Sequence, residues 1–85
     1  MSTPVLDFYY FDACPYCQRV ITIIKKHKIK VNWKDIYGDS NNLQKLIQVT
    51  GRKTTPCLFI DGEPMHESLD IIAWMEKNLA ALNKE

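Results

Sequence analysis

The chain has 85 residues, of which 46% are hydrophobic and 25% charged, and a formal net charge of +1. That length predicts one domain over residues 1–85 with a modest core, and the near-neutral balance gives no reason to expect nucleic acid as a partner. No apolar run reaches the roughly 18 residues of a membrane span, and the chain's 3 cysteines cannot all pair with one another, which argues against a disulfide-stapled secreted domain.

Met1-Ser2-Thr3-Pro4 has no basic stretch followed by an apolar one, so no signal peptide is expected. A reducing cytoplasm is the expected compartment. Val5 to Phe11 is nearly continuous in apolar, β-rich residues and predicts a strand buried on both faces. Asp12-Ala13 then turns the chain. Pro15 suits a first helical position, where its missing N–H costs nothing. Cys17, Val20, Ile21 and Ile24 follow at the spacing of one helix face. Lys25, Lys26 and Lys28 close that helix, where cations complement its dipole.

Val31 to Tyr37 predicts a second strand, and Gly38-Asp39-Ser40 a turn. Leu43, Leu46, Ile47 and Thr50 return to helical spacing, with Gly51 as the stop. Cys57-Leu58-Phe59-Ile60 predicts a short strand, Asp61-Gly62 a hairpin turn, and Glu63 to His66 the return strand. Ser68 is a candidate cap for a last helix with Leu69, Ile72, Met75, Leu79 and Leu82 on its apolar stripe. The order is β-α-β-α-β-β-α. The first β-α-β requires a parallel pair with a right-handed crossover, and the hairpin adds an antiparallel strand. This predicts an α/β, thioredoxin-like fold: a four-stranded mixed sheet with helices on both faces.

Cys14-Pro15-Tyr16-Cys17 sits where a buried strand hands over to a helix. Thiol exchange needs a thiolate, and unpaired N–H groups with the positive dipole end favour that anion. Thiols so placed have pKa values of about 3.5 to 7.5, against about 8.5 for a free cysteine. Cys14, ahead of the first turn, is expected to be exposed and to be the nucleophile. Cys17 shares the buried stripe and is expected to be the shielded, resolving thiol. Zinc is the competing use of such a pair, but it wants four ligands, and only Cys57, His27 and His66 remain. No metal site is expected.

The Cys14-Pro15-Tyr16-Cys17 motif resembles the active site of dithiol glutaredoxins, and the resemblance extends over essentially the whole chain. Gly51-Arg52-Lys53-Thr54-Thr55-Pro56 and the strand after it look like that family's Thr-Val-Pro loop. His66-Glu67-Ser68-Leu69-Asp70 stands where the family holds the γ-glutamyl end of glutathione, and Glu67-Ser68 is similar to the corresponding motif of glutathione transferases. The resemblance implies a cis Pro56 facing the dithiol and a Thr55 backbone that pairs with the cysteinyl part of glutathione. It implies further glutathione contacts from Tyr16, Lys53, Glu67, Ser68 and Asp70. Each has a plainer reading: Tyr16 an exposed helix residue, Pro56 a strand-start proline, Ser68 a helix cap, Lys53 a solvated loop charge.

The implied activity is glutathione-dependent reduction of glutathione mixed disulfides and protein disulfides by catalytic Cys14 and Cys17. Glutathione is then a cosubstrate, with no tightly bound cofactor. The implied partners are glutathionylated or disulfide-containing proteins, met by a monomer. The alternatives are a non-catalytic glutathione-binding or transferase-like module, a thioredoxin-like reductant and an iron–sulfur scaffold. Two departures bear on glutathione affinity. Phe11 stands where many relatives carry a basic residue, and His66-Glu67-Ser68-Leu69 replaces the usual Gly-Gly-Cys-Asp. Cys57 reads as a small buried strand residue or as a site of glutathionylation or dimerisation.

Overall fold

Alternation of side chains along two central strands organises the molecule. The computed structural model describes residues 3–85; Met1 and Ser2, half of the stretch read for a leader, lie outside the described residues. Strand β1 (Leu6–Tyr10) runs parallel to β2 (Asn32–Asp35) and antiparallel to β3 (Cys57–Ile60), which pairs antiparallel with β4 (Glu63–His66). The sheet order is β2-β1-β3-β4.

Leu6, Phe8 and Leu58 point to one face, where they meet Val20, Ile21 and Ile24 of α1 (Pro15–His27) and Ile71 and Met75 of α3 (Ser68–Lys77). Tyr9, Cys57 and Phe59 point to the other, where they meet Leu46 of α2 (Ser40–Thr50) and Ile36. This is the expected sheet with helices on both faces, and β1 is buried from both sides because a period of two feeds each core in turn. No helix among the described residues is long and apolar enough to cross a membrane.

Phe8 is fully buried, stacks on Tyr10 with centroids 5.6 Å apart, and meets the edge of Trp33 at 5.9 Å. Phe8→Ala is expected to cost about 3–5 kcal/mol, because the emptied volume cannot collapse between a sheet and two helices. Urea unfolding checks this: the midpoint falls while the slope stays unchanged.

The hairpin turn forms at Asp61-Gly62, with positive φ at both residues (50° and 90°), as its inward-twisting geometry requires. The Asp61 carboxylate also accepts the Val5 N–H at 2.8 Å, which ties the turn to the start of β1. Gly51 ends α2 at φ 79°, and its N–H donates to the Ile47 carbonyl.

Four expectations are corrected. The second strand is shorter than Val31–Tyr37, because the Asp35 carboxylate accepts the Tyr37 N–H at 2.9 Å and bends the chain into a turn. Ser68 does not cap α3. It is the first helical residue and is buried, while Glu67 occupies the cap position without a side-chain capping bond. Of the apolar stripe read for the last helix, Leu69 is left 68% exposed, while Met75 and Leu82 are buried and Ile72 and Leu79 pack against the core; the buried residues of α3 are Ser68, Ile71 and Met75. α3 also stops at Lys77, where the Asn78 side chain donates to the Trp74 carbonyl, so Leu79 falls in a separate 3₁₀ turn (Leu79–Ala81) and Leu82 lies beyond it.

Candidate active site

β1 ends inside the sheet, and its continuation must reach α1 in a few residues. The Cys14 N–H donates to the Phe11 carbonyl at 3.2 Å, which closes the connection, and the Gln18 side chain donates to the Asp12 carbonyl at 2.7 Å. Cys14 thereby becomes the N-cap of α1, with Pro15 at the first helical position. The cap acceptor, usually an oxygen, is here sulfur: the Cys17 N–H donates to Cys14 Sγ at 3.3 Å. A negative sulfur at this position satisfies an orphan N–H and lies at the positive end of a 13-residue helix.

A second wall comes from the segment after α2. The Thr55–Pro56 peptide is cis, as the family resemblance implies, and Thr55 Oγ1 lies 3.9 Å from Cys14 Sγ in donor geometry. Burial opposes ionisation of Cys14. Hydrogen bonds from the Cys17 thiol, the Cys17 and Tyr16 N–H groups and the Thr55 hydroxyl outweigh it and hold this thiol below its ordinary value. Cys17 differs in kind. Burial, reinforced by the thiol's bond to Cys14, pushes it up to about 11.

One expectation needs correction: Cys14 is not exposed. It retains 6% of its surface against 0% for Cys17, because the Phe11 turn, the first turn of α1 and Thr55 close around it. The order of access matches the sequence reading, but the margin is small. Cys57 is fully buried, and burial pushes its thiol up to about 12, so it fits the small-strand-residue reading.

Beside Thr55 opens a groove of about 520 Å³, lined by Tyr16 and Arg19 of α1, Thr54 to Pro56, and Glu67 to Asp70. The structure thus brings together Tyr16, Thr55, Pro56, Glu67, Ser68 and Asp70 around one groove; Cys14 is not in its lining and adjoins it through Thr55. Lys53 is exposed and lies outside the lining, since the wall begins at Thr54. Glu67 has φ 71°, a left-handed conformation uncommon for a side chain of this size, just ahead of an α3 terminus whose first N–H groups have no side-chain cap. Arg19 is a lining residue that sequence reasoning does not single out, and Thr54 and Leu69 enter it only as members of longer segments, not as contacts. The signal for Arg19 was its place three residues after Tyr16, which puts both side chains on one helix face.

The sequence matches the family described as "Glutathione S-transferase, N-terminal domain" over residues 8–81. It is 26% identical over 68 residues to glutaredoxin 3 of Escherichia coli K12, covering 80% of this chain and 82% of that protein. The fold is similar to that of the trimeric Leishmania glutathione transferase TDR1, at a TM-score of 0.71 and 23% identity, covering 86% of this chain but only 16% of that one. It is also similar to a buckwheat glutaredoxin–glutathione complex, at a TM-score of 0.66 and 21% identity, covering 91% of this chain and 72% of the other.

Proposed function

The chain belongs to the glutathione S-transferase N-terminal domain family, and from that premise we propose that it is a glutathione-dependent thiol–disulfide oxidoreductase of the glutaredoxin type. The observation that carries this reading is the Cys14 sulfur serving as acceptor at the N-cap of α1, with Cys17 one turn behind it.

In the proposed reaction the Cys14 thiolate attacks the glutathione sulfur of a mixed disulfide. The S–S bond breaks, the protein thiolate leaves and takes up a proton, and glutathione is now joined to Cys14. A second glutathione thiolate then attacks that glutathione sulfur, giving glutathione disulfide and restoring the Cys14 thiolate. Alternatively, Cys17 loses its proton and closes a Cys14–Cys17 disulfide, which releases the glutathione. With a protein disulfide, Cys14 attacks one protein sulfur and the other leaves as a thiolate. Cys17 then closes the Cys14–Cys17 disulfide and releases the second protein thiol, and on either route two glutathiones reduce that disulfide, giving glutathione disulfide. Glutaredoxin dithiols have potentials of about −200 to −230 mV, close to the glutathione poise, so either direction is open.

Glutathione would lie in the groove as a cosubstrate. The Thr55 backbone beside Pro56 would pair with its cysteinyl part, the uncapped start of α3 at Glu67-Ser68 and Asp70 would hold its γ-glutamyl end, and Tyr16 would flank it. Lys53, on the neighbouring loop, would reach a carboxylate only by swinging toward the groove. No tightly bound cofactor enters the proposal. Glutathionylated and disulfide-containing proteins are the proposed macromolecular partners, a reducing cytoplasm the proposed compartment and a monomer the proposed state.

A second reading has its own support. The family match is to the N-terminal domain of transferases, and the fold likeness to TDR1 covers a small part of a longer chain. A glutathione-binding module would need the groove but not a second thiol. Turnover of a small mixed disulfide, coupled to glutathione and its reductase, separates the two. The oxidoreductase turns over, and Cys17→Ser keeps a large part of the rate because glutathione can do the resolving. A wild-type protein that binds glutathione without turnover favours the module. Equal loss from Cys14→Ser and Cys17→Ser rejects the route through a single thiol.

A further inference from the structure

The side walls of the groove carry two acidic residues, Glu67 and Asp70, and one basic residue, Arg19. No role has yet been given to Arg19. We infer that Arg19 anchors the γ-glutamyl α-carboxylate of glutathione and so sets the affinity of the groove for that end of the ligand. The inference rests on the groove being the glutathione site.

Three observations lead to it. The guanidinium lies over the Tyr16 ring, 5.6 Å from its centroid. A guanidinium held over a ring by its charge keeps N–H donors free for another acceptor. Those donors are uncommitted: among the described residues the ion pair found is His27 with Glu76, and Arg19 has no carboxylate within bridging distance. Other cations that sequence reasoning would place here are missing from the lining, since Lys53 is outside it and position 11 is a phenylalanine.

Charge complementarity selects the end of the ligand. Without Arg19 the charged side chains of the lining would all be acidic and would repel a molecule that carries two carboxylates and one ammonium. The γ-glutamyl end alone bears both signs on one carbon. Its ammonium suits Asp70 and Glu67, and its carboxylate suits Arg19 with the N–H groups at the start of α3. A planar fork of donors on one wall and a helix terminus on another grip that carboxylate from two directions. The glycine carboxylate has no second charge beside it and gains nothing from the acidic wall.

Calorimetric binding of S-methylglutathione tests this, because the blocked thiol removes exchange chemistry. Arg19→Gln is expected to weaken binding by about tenfold or more, the loss of one charge-assisted contact. Arg19→Lys is expected to recover part of it. Lys45→Gln, which removes an exposed charge on α2, is expected to stay within about twofold of wild type. The Arg19→Gln deficit is expected to persist when the glycine carboxylate of the ligand is blocked as its ethyl ester. Equal affinity of wild type and Arg19→Gln overturns the inference. So does an equal loss in Lys45→Gln, which would mark a general charge effect, or a deficit that vanishes with the ester, which would move the contact to glycine. Failure of the wild type itself to bind S-methylglutathione sinks the glutathione reading of the groove instead.

Discussion

Cys14→Ser is expected to abolish turnover of a glutathione mixed disulfide, with a fall on the order of a thousandfold or more. A hydroxyl in this place can still cap α1 by accepting the Cys17 N–H, so the helix terminus and the fold should survive. What it cannot do is ionise near neutral pH or attack sulfur. The variant therefore separates the two roles that the native sulfur combines at one atom. The same bonds that terminate the helix hold the thiol below its ordinary value. Coupled turnover together with circular dichroism checks both halves. A variant that keeps its helical spectrum and its binding of S-methylglutathione, yet has no turnover, places the chemistry at Cys14. Substantial residual turnover would move the nucleophile elsewhere, and Cys57, at 0% exposure, offers no credible substitute.

Much of this arrangement is legible in the residues. β1 and β3 are short apolar runs with turn signals at their ends. The hairpin is announced by Asp61-Gly62, and α1 by a proline after a thiol at a strand end. These are local signals, and each agrees with the packing it enters. α3 was misread because its apolar residues outnumber its buried positions. Leu69 satisfies helical spacing as well as Ile71 does, and only the packing of the folded chain decides that Ile71 is buried and Leu69 exposed, while Ile72 and Met75 pack against the core as the spacing predicts. The exposure of Cys14 was misread for a related reason. Its cover comes from Thr55, 41 residues away, and from a loop path that closes only in three dimensions. Arg19 was missed because a cation on an exposed helix face looks solvated until the opposite wall is known.

Limited alkylation should single out Cys14 among the cysteines, and magnitudes decide by how much. At pH 7 a thiol at about 11 is ionised roughly once in 10⁴ and one at about 12 roughly once in 10⁵, the positions of Cys17 and Cys57. Cys14, held below its ordinary value, has the largest ionised fraction of the three. More basic sulfurs are better nucleophiles once ionised, which returns about half of each advantage on a logarithmic scale. Ionisation still leaves Cys14 ahead of both. Access adds to this in the same direction, because the other two are fully buried. The sign with pH follows. Cys14 alkylation should fall as pH drops through its lowered value. Stability should respond in the opposite range: neutral Cys17 and Cys57 stabilise the fold below the ordinary thiol value, and that contribution is lost as pH rises toward about 11 and about 12. The lowered Cys14 works the other way, stabilising above the ordinary value and losing that contribution as pH falls through its folded value. Brief iodoacetamide treatment at pH 7, followed by fragment sequencing in the mass spectrometer, reads the order of modification. Label arriving at Cys57 or Cys17 as fast as at Cys14 would mean that the N-cap sulfur is neither ionised nor reachable, and 6% of residual surface would then be too little for the chemistry proposed.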